Sequence, residues 1–515
     1  MQAWRAALLQ QARLRRPYAP TSSATVAAVS NSVAGEHGED LLATSQAGPA
    51  AVRGGVLRVG GYLFGAALGI VSAALLFRHL GVREAGRYVT VMTLVALFGG
   101  LTEAGLSSIA VRELSASADP RTSTLMRDIV GLRIALSTVA ALASVAFAAV
   151  AGYSSLLIVG TALCAFGYVL QNVQVTWAAA LAARLRFGWA TTLELGRQAF
   201  TVAGIVVLVL AGAGLLSFLA LAIPAGLAVL VATAWLVRRD IPLRPRFDPA
   251  VWRRLLREVL PFAAATAVAA LYFRVSLILV SLVTDERQTG LFGASFRIVE
   301  VFITIPVLIV GAALPIFSRA AASDPERLRF GIQRVVDTTT IFGATLVLGI
   351  FVGASDIIAV VAGAQFSEAS DVLQIQCLGL LGAFVSAVWG FALLSLGRYR
   401  EILMITCGLL LVNVVSTLAL APAYGATGGA VATAIGEITF AVVGPFVLNR
   451  AIAPQRVSLL PIVRALLLAV PFAAFALVGG VPPLILGGFA AGLYALAIWM
   501  LGWLPVDLVK DLRGA

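Results

Sequence analysis

Histidine, lysine and cysteine are nearly missing from this chain. There are two histidines, His37 and His79, and one lysine, Lys510. Chemistry built on a histidine base has little to work with. The three cysteines, Cys164, Cys377 and Cys407, all fall inside apolar runs, and no C-x-x-C pair occurs. A disulfide framework and a zinc site are not expected, and the thiols read as small core hydrophobes. No G-x-x-x-x-G-K-[ST] loop is present, so no nucleotide site is expected, and no cofactor of any kind is called for. Charge itself is scarce. Only 12% of residues are Asp, Glu, Lys or Arg, against about 25% in soluble domains.

What fills the chain instead is apolar. Hydrophobic residues make up 60% of the 515. Such a surface must face lipid rather than water. From Leu57 to about position 504, apolar runs long enough to cross a bilayer succeed one another; a crossing needs about 20 residues. The expected fold is an all-α polytopic membrane protein of about 14 transmembrane helices. They divide into two six-helix halves plus two C-terminal helices. By segment, 1–54 is expected to be a disordered cytoplasmic tail without a signal peptide, 55–240 the N-terminal six-helix half and 241–452 the C-terminal six-helix half. Two more helices and a tail occupy 453–515. The ninth crossing is placed at 335–360, with Asp337 and Asp356 near its ends.

The formal net charge is +12 and is carried almost wholly by arginine. Arginines gather in alternate loops, such as Arg238, Arg239, Arg244, Arg246, Arg253, Arg254 and Arg257 after the sixth run. They form no separate basic domain, so they read as topology signals and not as a nucleic-acid surface. The bias places both termini in the cytoplasm of a multi-pass plasma-membrane protein. The intervening loops are short and carry no carboxylate pair in an aromatic setting. That opposes a membrane-embedded polymerase or ligase, and no enzymatic activity is expected.

Two stretches resemble each other. Arg83–Val95 (REAGRYVTVMTLV) and Arg287–Val299 (RQTGLFGASFRIV) share R-x-x-G-x-aromatic at an offset of 204. Arg186–Glu194 and Arg398–Thr406 both open on Arg-aromatic at an offset of 212, and Gly212 and Gly425 mark the next turn in each, one residue out of that register. Offsets of this size suggest two related halves in parallel orientation, a transporter design that holds its cargo between them.

Four segments carry a family resemblance. They are Leu80–Leu114, Leu260–Arg319, Ala364–Gln376 (AQFSEASDVLQIQ) and Leu418–Ile438 (LALAPAYGATGGAVATAIGEI). In this order they resemble bacterial polysaccharide and lipid-linked oligosaccharide flippases of the multidrug/oligosaccharidyl-lipid/polysaccharide exporter superfamily. The resemblance implies a polyprenyl-diphosphate-linked oligosaccharide moved from the inner to the outer leaflet for cell-surface polysaccharide synthesis. It also implies membrane lipids, a polymerase and glycosyltransferases as partners, and H+ or Na+ as a coupling ion. Relatives often carry Asp where this chain has Ser276. A multidrug antiporter and a lipid II flippase are the alternatives within the superfamily; a polysaccharide polymerase or ligase is the alternative outside it.

A charge at the bilayer centre costs roughly 2.5–3.5 kcal/mol on insertion scales, so it usually meets a partner or a watery cavity. Six charges fall well inside the apolar runs: Glu194, Arg197, Arg274, Arg297, Glu300 and Glu437. Helical rise puts Arg274 and Arg297 about 10–13 Å from one membrane face and Arg197 about 13 Å from the other. A guanidinium keeps its charge and grips phosphate through a planar fork. Arg197, Arg274 and Arg297 are therefore the candidate ligands for a diphosphate. Glu194, Glu300, Glu437 and Asp337 are the candidate coupling or structural carboxylates. Glu194 with Arg197, and Arg297 with Glu300, have the i, i+3 spacing of simple helix pairs.

Overall fold

In the computed structural model the described residues are 47–503, apart from 104–105, 107–109, 112–113, 115–119, 184–185, 453, 455 and 479. The tail expected at 1–54 lies outside them for residues 1–46. The chain forms two units, 1–57 and 58–515, and the second contains all the crossings from the start of the first apolar run onward.

Every regular element among the described residues is helical. Helix α1 is Ala47–Glu103, α2 Pro120–Val150, α3 Ser155–Ala183, α4 Phe187–Leu210, α5 Leu215–Ala220 and α6 Ala222–Val237. Then come α7 Pro249–Val283, α8 Glu286–Ser323, α9 Pro325–Val352, α10 Ala354–Val361, α11 Ala369–Ser395, α12 Tyr399–Ala451, α13 Leu460–Ala473 and α14 Pro483–Met500.

Helices α1 and α12 are too long for one crossing and each is broken once. The breaks fall at Gly81 (φ 75°, ψ 172°) and Gly425 (φ 58°, ψ −134°), backbone conformations that side chains resist. Each therefore supplies two crossings, while α5 and α6 together make one. Counted this way the described helices give the fourteen crossings expected. At Gly425 the neighbouring Ala426 N–H donates to Gln288 Oε1 at 2.9 Å, and a methyl on Gly425 would collide with that amide. Gly425→Ala should lower stability by about 1–3 kcal/mol, read as a lower midpoint in thermal unfolding of the detergent-solubilised protein. An unchanged midpoint would contradict this account of the turn.

Two boundaries differ from expectation. The crossing placed at 335–360 begins ten residues earlier, at Pro325, because Asp324 caps it by accepting from Arg327 N–H at 3.0 Å. It ends at Gly353; Asp356 then sits on the separate α10 and accepts from Leu484 N–H at 2.9 Å. The seventh apolar run, expected at 260–283, is only the C-terminal part of the 35-residue α7, capped by Asp248 with Pro249 at its first position. Its first turns pack Trp252 and Leu255 onto the core, and Arg253, Arg254 and Arg257 lie outside the expected run.

Large apolar side chains are exposed around the bundle, with Val150 at 90% and Leu477 at 88%. Water would not tolerate that, and lipid does. The buried layer runs through Phe77, Phe292, Leu380, Phe384 and Ala430, so α1, α8, α11 and α12 meet there. Cys164 and Cys377 are buried, as core hydrophobes should be, whereas Cys407 is exposed on α12.

Candidate functional site

Arg274 on α7 and Arg297 on α8 converge on one carboxylate. Arg274 Nη2 donates to Glu300 Oε1 at 2.8 Å, and Arg297 Nη1 donates to Glu300 Oε2 at 2.6 Å. The pairing of Arg297 with Glu300 is the one their spacing suggests. That of Arg274 with Glu300 joins two helices, and sequence spacing does not predict it. The guanidinium of Arg274 also lies against the Phe273 ring, 5.5 Å from its centroid.

These three charges line a cavity of about 210 Å³ together with Gly69, Tyr88, Met92 and Thr93 of α1 and Gly293 of α8. Arg297 reaches into the space a side chain at position 69 would fill, since a methyl there would lie 3.1 Å from its Nη2. The lining holds two guanidiniums against one carboxylate, so the cavity has positive charge in excess. Glu300 is the more enclosed partner at 21% side-chain exposure, and Arg297 the more open at 42%. A guanidinium half open to a cavity has donors free to turn toward a group that enters it.

Arg197 lies elsewhere. It pairs with Glu194 on its own helix at 2.5 Å, and Gln198 donates to the same carboxylate at 2.9 Å. This cluster touches α1 one turn before Gly69, for a methyl at Gly65 would lie 2.8 Å from Gln198 Oε1. Asp337 accepts from Gln333 at 2.8 Å, and Gln333 in turn donates to the Ser458 carbonyl at 3.2 Å, away from the cavity residues.

Glu437 belongs to a second polar cluster. It accepts from Tyr272 Oη at 2.8 Å. Ser276 donates to Asn413 Oδ1 at 2.7 Å close by, and Thr417 donates to the same oxygen at 3.3 Å. Ser276 is thus part of a neutral network. Tyr272, Ser276, Asn413, Thr433 and Glu437 enclose a void of about 30 Å³ with Gln376, room for about one water. Gln376 is 2% exposed, and neither atom of its amide has a partner among the described residues. Among the described residues no arginine, lysine or histidine lines this void.

The six charges counted from the sequence omit Arg133. It falls within an apolar run in the same way, five residues past Asp128, and the same search for lone charges finds it. It is fully buried on α2 and donates to the Thr102 carbonyl at 3.1 Å and to Asn172 Oδ1 at 3.2 Å. Asn172 donates on to Ser137 Oγ at 3.1 Å. Loss of this donor takes a hydrogen bond from both the Thr102 carbonyl and Asn172 Oδ1, at about 1–3 kcal/mol for each buried group left unsatisfied. Arg133→Ala should therefore lower the thermal midpoint of the detergent-solubilised protein more than any cavity substitution. A midpoint shifted less than that of Arg297→Ala would refute this.

The fold and the cavity define an all-helical polytopic membrane protein with a charged pocket between its helices. A lipid II flippase, MurJ, in an inward closed conformation matches at a TM-score of 0.73 over 88% of this chain and 100% of its own, with 14% identity. An inward-facing multidrug resistance MATE family transporter matches at 0.63 over 78% and 98%, with 15% identity. A MOP superfamily transporter from Pyrococcus furiosus, described as having a binding pocket of reverse polarity, matches at 0.52 over 76% and 95%, with 14% identity. At these identities the likeness is one of fold. No curated protein sequence matches the chain. The model of the polysaccharide biosynthesis protein family matches residues 75–371, more than half of the sequence, and the chain belongs to that family. The family expected from the four sequence segments is the one found.

Proposed function

We propose that this chain is a flippase that moves a polyprenyl-diphosphate-linked oligosaccharide from the inner to the outer leaflet of a bacterial plasma membrane. The observation that carries the reading is the convergence of Arg274 and Arg297, from two helices, on a cavity with positive charge in excess. A diphosphate is the most anionic part of such a lipid, and two forks can each take one of its phosphates. The glycan stays in the polar space between the halves while the polyprenyl tail remains in lipid. The excess positive charge favours an anionic cargo over the cations a multidrug antiporter would carry. Two six-helix halves, 55–240 and 241–452, rock to expose the cavity first inward and then outward.

Glu300 holds the two guanidiniums when no cargo is present, and the diphosphate competes with it. Glu437 is the carboxylate best placed for energy coupling: among the described residues no basic side chain lines its void, which leaves a place for H+ or another monovalent cation beside it. Glu194 with Arg197, and Asp337 with Gln333, are structural pairs in this reading.

The direct test is reconstitution into liposomes with a fluorescent polyprenyl-diphosphate oligosaccharide. Accessibility of the sugar to an external enzyme is then monitored. Movement above the rate of empty liposomes supports the proposal; equal rates would reject it. Lipid II offered in parallel separates the carrier of a general oligosaccharide from a peptidoglycan flippase.

A further inference from the structure

The end of the bundle that carries the Gly81 turn is closed by a close backbone crossing of α1 and α8. A methyl on Gly86 would collide with the Glu286 carbonyl oxygen and lie 2.9 Å from Gly290 N. A methyl on Gly290 would collide with the Val82 carbonyl oxygen and lie 3.2 Å from Gly86 N. One on Gly293 would lie 2.8–3.1 Å from the side chain of Val89.

These residues are paired by the sequence repeat. The offset of 204 that aligns Arg83 with Arg287 also aligns Val82 with Glu286, Gly86 with Gly290 and Val89 with Gly293. Exchange each residue for its counterpart and the contact set is unchanged. Val82 with Gly290 becomes Glu286 with Gly86, and the other two pairs map onto themselves. A contact between like patches that survives exchange is the mark of an isologous, two-fold interface. Residues that meet their own counterparts lie on the axis. Glycine at the crossing lets the backbones touch.

The crossing caps the charged cavity, since Val89 and Gly293 line both. Polar ties between the 55–240 and 241–452 segments gather at this end. Arg87 Nε donates to Glu286 Oε1 at 2.7 Å, and Tyr153 Oη lies 2.6 Å from Ser281 Oγ. Arg78 donates to the carbonyls of Ala359 and Val360 at 3.1 and 2.7 Å, and Gln365 donates to those of Phe77 and Arg78 at 3.2 Å. At the other end, the polar ties among the described residues join α2 to the connecting stretch before α7 and to the first turn of α7. Arg246 faces Asp128 at 3.7 Å, Trp252 donates to the Asp128 carbonyl at 3.1 Å, and Arg127 donates to the Arg244 carbonyl at 3.2 Å.

We infer that the Gly86–Gly290 crossing is a gate at the Gly81 end of the cavity, lying on a two-fold axis between the two segments, with Arg87–Glu286 as its latch. The inference rests on the alternating-access reading of the function. The latch has no symmetric copy, because the counterpart of Arg87 is Leu291 and that of Glu286 is Val82. The gate thus joins a symmetric seam with one off-axis charge pair. The seam itself is small and largely backbone, so it can separate without unpicking interlocked side chains.

The test uses the full chain in membrane vesicles with Cys164, Cys377 and Cys407 replaced by alanine. The pair Val89→Cys and Gly293→Cys places Cβ atoms 3.1 Å apart, so a few tenths of an ångström of separation brings them into the range of about 3.5–4.5 Å that disulfides span. A third substitution, Ser72→Cys, places a thiol in the cavity lining for labelling with a membrane-impermeant maleimide. The gate predicts that the 89–293 disulfide forms on oxidation without added substrate. Labelling of position 72 from the Gly81 side should then fall at least tenfold, returning on reduction. In the unlinked protein, Glu286→Gln should raise labelling from that side about two- to fivefold, the worth of a partly exposed pair. Gly290→Val should raise it further. Failure of the disulfide to form, or labelling equal in linked and reduced protein, overturns the gate. Unchanged labelling in both single variants overturns the latch and the seam. None of these readouts needs a cargo, so a gate that behaves as stated in a protein that moves no oligosaccharide would sink only the substrate reading.

Discussion

Replacing Arg274 or Arg297 by alanine is expected to lower the rate of oligosaccharide movement by about ten- to a hundredfold. Hydrogen bonds to charged groups contribute about 1.5–3 kcal/mol each, and each factor of ten is worth about 1.4 kcal/mol. The smaller end of that range applies to Arg297, whose 42% side-chain exposure lets water screen it. Either single substitution leaves Glu300 with one arginine, so neither should orphan a partly buried carboxylate. Thermal midpoints should therefore move little while transport falls. The double variant does leave Glu300 alone in the cavity, and its stability should drop unless Glu300→Gln is added. Lysine in place of Arg297 keeps the charge but loses the fork, and transport should fall between that of wild type and alanine. The measurement is the liposome assay with the fluorescent oligosaccharide, with expression level and thermal midpoint recorded for each variant. A rate within twofold of wild type for both single variants would remove these residues as cargo ligands.

The second large effect is expected at Glu437. Gln at this position keeps an acceptor for the Tyr272 hydroxyl, now at 2.8 Å, and removes the only carboxylate among the described residues lining the small void. If this carboxylate binds the coupling cation, Glu437→Gln should abolish the response of transport to a proton or sodium gradient while leaving slow, gradient-independent exchange. Its thermal midpoint should equal or exceed that of wild type, because no cation partner is left unpaired by the change. Transport that still responds fully to an imposed gradient in the Gln variant would exclude Glu437 from coupling. Gln376 offers a control. Its amide has no protein partner among the described residues, so Gln376→Leu should tolerate loss of the polar group in folding yet perturb coupling if the void holds water.

The site was half legible. Arg274, Arg297 and Glu300 stand out because charge inside an apolar run is costly wherever its helix ends up. Their meeting could not be read, because Arg274 and Glu300 are 26 residues apart on different helices. The void around Glu437 was less legible still. Tyr272, Ser276, Gln376 and Asn413 are ordinary polar residues within spans. Only their convergence from α7, α11 and α12 makes them a group. Arg197 shows the opposite failure, since the same cost selects it and a neighbour on its own helix answers it.

Composition and run length together determined that this is an all-helical membrane protein, since 60% apolar residues leave lipid as the solvent that fits, and unbroken runs of about 20 residues suit helices and not the short alternating strands of a barrel. The number of crossings and the turns at Gly212 and Gly425 were also in the sequence, because local rules of length and glycine conformation set them. Tertiary structure decided which charges share a cavity, which are paired on one helix, and that Gly86 lies against Gly290. Those are contacts between segments far apart in the chain, and local patterns place a residue on a helix without fixing which helix it will face.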